Sequence, residues 1–94
     1  MILEKSKRFK EELEDAVMFI ALDNHHRALD FFDNIISKIE NILQSPYSHR
    51  QREKSNNIYI RELIYKGYTV PYYIDIEKNK IIILGIFNQN QWKE

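Results

Sequence analysis

The apolar residues of this 94-residue chain follow a helical period in its first half and a strand period in its second. From Ser6, a good N-cap, to Leu22 they recur three or four positions apart, which predicts an amphipathic helix. The same spacing from Ala28 to Ile42 predicts a second helix, and the connection "LDNHH" suits a turn. Two helices joined so closely should pack antiparallel, so the first half predicts a helical hairpin.

Alternation with a period of two begins at Ile58 and predicts strands for the second half. Lys66 and Gly67 fit the tight turn of a hairpin, because glycine readily supplies the positive φ that such a turn needs. The run "IIILGIF" is apolar on both faces and predicts a buried strand, and the opening "MILEK" could form a short one. We therefore predict one α+β domain over residues 1–94, with the helical hairpin packed on a three- to four-stranded antiparallel sheet.

Pro71 conflicts with a regular sheet. Proline cannot donate to a strand ladder and lies mostly at edges or bulges, yet the hairpin topology would place its strand between two neighbours. We therefore predict a bulge or a local break at Pro71.

Composition narrows the possible functions. The chain has no cysteine, which excludes disulfides and thiolate metal sites. His25 and His26 would point about 100° apart on a helix, so they cannot easily share a metal ion. We find neither a glycine-rich phosphate loop nor the spacing of a catalytic triad, and we expect no metal or cofactor. Without a bilayer-length apolar run or a signal-peptide pattern, we expect a cytoplasmic protein with no membrane contact.

The loop before the first predicted strand of the second half is locally basic. Fourteen basic and fourteen acidic residues cancel over the chain, but residues 45–69 carry five basic and two acidic side chains. Arg50, Arg52 and Lys54 could bind nucleic acid or an acidic partner, because clustered cations attract polyanions. A solvated loop explains the same charges equally well.

Arg61 is the best single functional candidate, since it shares a predicted strand face with Tyr59. A cross-strand ion pair would explain it equally. The tyrosines of this half could stack on bases, although half-buried sheet positions account for them more simply. His49 could act as a general acid because an imidazole titrates near neutrality, but a single loop histidine usually has no such role.

Three segments succeed one another in an informative order. They are "FIALDNHHRALDFFDNIISKIENILQSPYSHR", "YIRELIYKGYTVPYYID" and "IIILGIFNQNQ". The first resembles the helical half of ParE-type toxins, the second their strand hairpin and the third their closing strand. Over essentially its whole length, the chain therefore resembles the RelE/ParE superfamily of bacterial type II toxins, which implies the α+β fold predicted above.

The departures from that family concern its cations. For the RelE-like ribonucleases the resemblance implies basic residues on the sheet and an aromatic residue near the C-terminus. Here the cation positions fall on Thr69, Asn88 and Asn90, whereas Arg61 keeps the strand arginine and Trp92 lies where the aromatic would. Loss of one charged donor can reduce a rate by about two to three orders of magnitude. The pattern therefore favours the ParE branch, which poisons DNA gyrase by binding, over an enzyme.

The resemblance implies a growth-inhibiting toxin of the plasmid-stabilisation type that is neutralised by a cognate antitoxin. An exposed apolar strip beside the helical hairpin should then receive an amphipathic helix of the antitoxin. We predict antitoxin contacts at Phe9, Leu13, Phe31 and Ile35. Contacts to the target or to nucleic acid are predicted at Arg50, Arg52, Lys54, Tyr59, Arg61 and Trp92.

Two alternatives stay open at this level. The first is a RelE-like mRNA interferase, a metal-independent endoribonuclease that acts at the ribosome and uses Arg61, Lys66, Arg50 and His49 in a rearranged or weakened site. The second is a non-toxic relative that has kept only the scaffold.

Overall fold

The computed structural model describes residues 1–52 and 55–88. Over these residues the chain forms two long helices between a short opening strand and four later strands, which confirms the predicted α+β class. In chain order the elements are β1 (Ile2–Lys5), α1 (Lys7–Asp23), α2 (His25–Asn41), a 3-10 turn (Ile42–Gln44), β2 (Ile60–Tyr65), β3 (Tyr68–Asp75), β4 (Lys80–Ile83) and β5 (Phe87–Asn88).

Two capping residues define the helical hairpin. The Oγ of Ser6 accepts the N–H of Phe9 at 3.0 Å and donates to the C=O of Leu84 at 3.1 Å, which joins the start of α1 to the sheet. The N–H of Asn24 donates to the C=O of Ile20 at 3.0 Å at the end of α1. Its Oδ1 accepts the N–H of Arg27 at 2.9 Å at the start of α2. Because one residue caps both helices, the chain folds back directly into the predicted hairpin.

The helices and the sheet meet in one apolar layer. Val70, Tyr72 and Ile74 alternate along β3 and are fully buried, together with Phe9 of α1 and Ile35 of α2. Burying an apolar side chain of this size is worth about 1.5–3 kcal/mol. The apolar face of β3, which repeats every two residues, and the apolar stripes of the helices, which repeat every 3.6 residues, therefore pack into the same core.

We predicted an antiparallel sheet, but the observed sheet is mixed. Its strand order is β1-β4-β3-β2. β3 runs antiparallel to both β2 and β4. β1 runs parallel to β4, from Ile2 opposite Lys80 to Lys5 opposite Ile83. The N–H of Ser6 extends this ladder by donating to the C=O of Ile83 at 3.1 Å. The pairing with β4 therefore positions Ser6, the N-cap residue of α1.

The sheet is interrupted opposite Pro71, as predicted. β4 pairs with the last four residues of β3 and β5 with the first two, so residues 84–86 separate the two partners of one strand. The C=O of Pro71 accepts the N–H of Leu84 at 2.9 Å. Since the N–H and C=O of a strand residue point to the same side, the missing donor of Pro71 faces this break.

The turn between β2 and β3 is the predicted two-residue connection. Lys66 has φ of 47° and Gly67 has φ of 83°, and Tyr65 pairs with Tyr68 on either side of them. Two successive positive φ values are typical of a type I′ turn, whose twist matches that of the strands.

Candidate functional site

The segment before β2 lies along the outer edge of that strand. Arg52 donates its N–H to the C=O of Ile60 at 2.9 Å, and Glu62 donates its N–H to the C=O of Arg50 at 3.0 Å. Between the two arginines, Gln51 forms an isolated antiparallel bridge with the same strand. We call residues Arg50, Gln51 and Arg52 the edge segment. It covers backbone groups that would otherwise form an open strand edge.

Arg61 holds the chain on both sides of the edge segment. Its Nε donates to the C=O of Ile58 at 2.9 Å, and its Nη1 donates to the C=O of His49 at 3.2 Å. The guanidinium also lies 5.4 Å from the centre of the Tyr47 ring. Hydrogen bonds from a charged donor are stronger than those between neutral groups. Arg61 therefore has a structural role here, and its contact with a target stays a prediction.

Glu62 is a buried carboxylate between two arginines, and the sequence reading did not identify it as a site residue. Its Oε1 lies 2.8 Å from both Nε and Nη2 of Arg50, and its Oε2 lies 3.1 Å from Nη1 of Arg52. The guanidinium of Arg52 also lies 5.4 Å from the centre of the Phe87 ring. Only 5% of Glu62 is exposed, and a buried charge needs such partners. We call Arg50, Glu62 and Arg52 the Arg–Glu–Arg cluster.

The strand register places this cluster on the sheet face away from the helices. Leu63 pairs with Val70, and both are part of the core beneath the helices. Their neighbours Glu62 and Pro71 pair with each other and point to the opposite face, because successive strand residues alternate. Thr69, where the resemblance to the RelE-like ribonucleases implied a cation, shares that face and is 5% exposed.

His49 is half-buried beside Tyr72. The two rings are perpendicular with centres 6.0 Å apart, and the Tyr72 hydroxyl donates to the C=O of Pro46 at 2.6 Å. Burial, followed by the charge of Lys38, lowers the pKa of His49. Burial also raises the pKa of Tyr72, against the opposing charge of Arg61. Both side chains are therefore neutral at physiological pH.

The catalytic candidates do not come together. Arg61 and His49 are neighbours through a backbone contact, whereas Lys66 lies at the β2–β3 turn with its Nζ 5.5 Å from the Tyr65 ring. Lys66 follows Arg61 by five positions, which is about 16 Å along an extended chain. Arg61 and Lys66 therefore have different neighbours and do not form one cluster with His49.

The structure describes only some of the other target candidates and of the two asparagines at implied cation positions. Tyr59 is half-buried, with its ring 6.4 Å from that of Tyr47. Asn88 is exposed at the end of β5. Lys54, Asn90 and Trp92 lie outside the described residues.

A groove of about 380 Å³ runs between α1 and α2. Its apolar walls expose large side chains, since Met18 is 61% and Phe32 is 41% exposed. This confirms the expected apolar strip beside the hairpin. We call it the interhelical groove. Its apolar lining consists of Phe9, Leu13, Val17, Met18, Phe32 and Ile36.

The four predicted antitoxin contacts divide between the groove and the core. Phe9 and Leu13 are buried but line the groove. Phe31 is 5% exposed, with its ring 5.0 Å from that of Tyr68, and Ile35 is fully buried. The exposed groove side chains Met18 and Phe32 were missing from the predicted contacts, although Phe32 follows the same helical stripe. Their role in binding stays a prediction.

Two further observations concern metal ions and membranes. In residues 1–52 and 55–88, no three His, Cys, Asp or Glu side chains approach closely enough to hold a metal ion. His26 lies 3.6 Å from Asp30 on the exposed side of α2, as an ordinary surface pair. No helix in these same ranges is long and apolar enough to cross a bilayer.

Comparison with known families decides the class. The sequence model of the family described as "ParE toxin of type II toxin-antitoxin system, parDE" matches residues 3–91. The chain belongs to the ParE toxin family. This confirms the resemblance drawn from the three sequence segments. A comparison with curated proteins gave no match.

Solved structures share the ParE-family fold of this chain. The chromosomal ParDE toxin-antitoxin system from P. aeruginosa matches with a TM-score of 0.75 and 19% identity, over 94% of this chain and 95% of that one. The solution structure of the conserved hypothetical protein HP0892 from Helicobacter pylori matches with a TM-score of 0.51 and 17% identity, over 95% and 94% of the two chains. At these identities the likeness shows the fold.

Proposed function

We propose that this ParE-family protein is the toxin of a type II toxin-antitoxin pair, that it arrests growth by binding a protein target, and that its antitoxin inserts a helix into the interhelical groove. DNA gyrase is the first candidate target, and the cytoplasm, where gyrase acts, is the proposed location. Maintenance of a plasmid that carries the pair would follow from this activity. The observation that carries the proposal is the exposed apolar groove on the helical hairpin.

The groove suits an amphipathic helix. Met18 and Phe32 are exposed at its surface, over the more deeply buried Phe9 and Leu13. A partner that fully buried the two side chains would gain about 1 kcal/mol from each, because Met18 is 61% and Phe32 is 41% exposed before it binds. An amphipathic helix can supply the matching apolar stripe.

The charged margin of the groove gives the partner a polarity. Lys5 and Lys10 line the groove near the start of α1, and Glu14 lies one turn further along. Complementary charges favour the correct partner and register. We therefore expect acidic antitoxin side chains over the two lysines.

The contacts of three candidate arginines, Arg50, Arg52 and Arg61, favour binding of a protein target over cleavage of RNA. Arg50 and Arg52 are held by Glu62, and Arg61 is held by two backbone carbonyls. Metal-free phosphoryl chemistry needs several charged donors aimed at one phosphate. Arg50 keeps 59% of its side chain exposed and can still contact a protein surface, as can Tyr59.

Growth assays with groove variants test the antitoxin part. Inducible expression of the wild type should arrest growth, and co-expression of the neighbouring reading frame should restore it. Met18→Glu and Phe32→Glu should still arrest growth but resist rescue, because each places a charge in the apolar groove. Ile76→Glu is the matched control, since Ile76 is 55% exposed and does not line the groove. Full rescue of both groove variants would contradict the proposed docking site.

Purified gyrase and a translation extract test the target. The proposal predicts loss of supercoiling activity when the chain is added, with mRNA left intact. Cleavage of mRNA in a ribosome-dependent assay, with unaffected gyrase, would support the interferase alternative. Expression without any growth defect would favour the non-toxic scaffold.

A further inference from the structure

The Arg–Glu–Arg cluster has the geometry of an occupied oxyanion site. Two guanidinium groups approach the two oxygens of one carboxylate, at 2.8 Å from Arg50 and 3.1 Å from Arg52. Guanidinium forks bind carboxylate and phosphate oxygens with the same donor geometry. The position between the two arginines is thus suited to a phosphate group but is filled by Glu62.

Glu62 is fixed in that position by its backbone. It pairs with Pro71 inside the sheet, and its N–H donates to the C=O of Arg50. A phosphate from solution would have to displace a carboxylate that is tethered beside both arginines at a high effective concentration. Displacement would also leave Glu62, which is 5% exposed, as a buried and unpaired charge.

We propose that Glu62 is a built-in anion that occupies the phosphate position between Arg50 and Arg52 and so closes this sheet face to polyanionic partners. The cluster carries a net charge of one instead of two, and the donors that point between the arginines already bind Glu62. Glu62 thereby determines specificity: it excludes RNA and leaves this face to protein contacts. The inference holds whether or not gyrase is the target.

The test is Glu62→Gln, because a neutral amide binds the two arginines more weakly than a carboxylate does and leaves no buried charge behind when phosphate displaces it. Thermal melts with inorganic phosphate, compared with chloride at the same ionic strength, report binding to the folded state. We expect about 100 mM phosphate to raise the Tm of Glu62→Gln by about 5 °C more than that of the wild type, as for a Kd of about 20 mM. Glu4→Gln is the control, because Glu4 pairs with Lys80 at 3.0 Å elsewhere in the sheet.

The double variant Glu62→Gln/Arg50→Ala shows whether the arginine pair is the binding site. It should lose the response to phosphate. If Glu62→Gln does not fold in chloride, recovery of its circular dichroism spectrum on addition of phosphate supports the proposal, and failure to recover overturns it. An equal phosphate response in Glu62→Gln and the wild type would also overturn it.

A single-stranded RNA oligonucleotide provides a second readout by fluorescence anisotropy. Removing the carboxylate from Arg50, whose side chain is 59% exposed, should make the dependence of log K on log salt steeper by about 0.7, the contribution of one phosphate contact on a single strand. The wild type and Glu4→Gln should share the shallower slope. A slope for Glu62→Gln equal to theirs would show that Glu62 does not prevent RNA from binding to the arginines.

Discussion

Replacing Arg61 by alanine should release the chain on both sides of the edge segment and leave the helical hairpin intact. The substitution removes two hydrogen bonds, to the C=O of Ile58 at 2.9 Å and to that of His49 at 3.2 Å, and the contact with the Tyr47 ring. Each hydrogen bond is worth about 1 kcal/mol at these partly exposed sites, and the ring contact about 0.5 kcal/mol. The free energy of unfolding should therefore fall by about 2–3 kcal/mol, or roughly 10–20 °C in Tm.

Urea unfolding measures the loss, and amide hydrogen exchange locates it. The N–H of Arg52, which donates to Ile60, should exchange faster in Arg61→Ala than in the wild type. Arg27→Ala is the matched control: Arg27 lies 3.1 Å from Asp23 in an exposed pair, so its loss should cost under about 0.5 kcal/mol. If Arg61→Ala unfolds like this control and keeps its amide protection, the structural role of Arg61 is refuted. Loss of target binding in such a fully folded variant would instead identify Arg61 as a target contact.

Three further predictions concern the caps, the turn and pH. Ser6→Ala removes the acceptor for the N–H of Phe9 and the donor to Leu84, and should cost about 1–2 kcal/mol in urea melts; an unchanged midpoint would argue against the double contact. Gly67→Ala puts a Cβ at φ of 83° and should cost about 1–2 kcal/mol through backbone strain alone, since no atom lies within 4 Å of that Cβ; equal stability would contradict the turn geometry. Burial, reinforced by a nearby lysine, lowers the pKa of His49 below 6.5. Its contribution to stability is therefore present above about pH 6.5 and is lost as the pH falls, so His49→Gln should flatten the decline between about pH 7 and pH 5; parallel pH profiles would refute this.

Local chemistry explains why the helical half was predictable. Ser6 caps α1 through an atom three residues away, and the apolar stripes of the helices need no distant partner to be recognised. The break at Pro71 was predictable for the same reason, because a missing N–H is a property of one residue. The parallel pairing of β1 with β4 was not, since four residues indicate a strand but carry no sign of its neighbour or direction.

The Arg–Glu–Arg cluster could not be predicted from the sequence. Arg50 and Arg52 are two positions apart, which places them on one face of an extended segment. Their partner Glu62 follows ten residues after Arg52, and only the pairing of the edge segment with β2 brings them together. Interpreted as a loop, the same segment suggested cations available to a partner, whereas in the structure both arginines bind one buried carboxylate.

The interhelical groove shows a second limit. The apolar stripe of α2 includes both Phe31 and Phe32, but Phe31 packs against the sheet and Phe32 remains 41% exposed. A helical period gives the width of the stripe and not the part that the rest of the chain covers. The predicted antitoxin contacts accordingly included core residues and omitted Met18.

Hydrogen exchange of the chain, alone and in complex with the product of the neighbouring reading frame, tests the central claim most directly. The account predicts new protection on α1 and α2 around Met18 and Phe32, with the exchange of the edge segment unchanged. Protection confined to the edge segment and β2, with the helices exchanging as in the free chain, would contradict it.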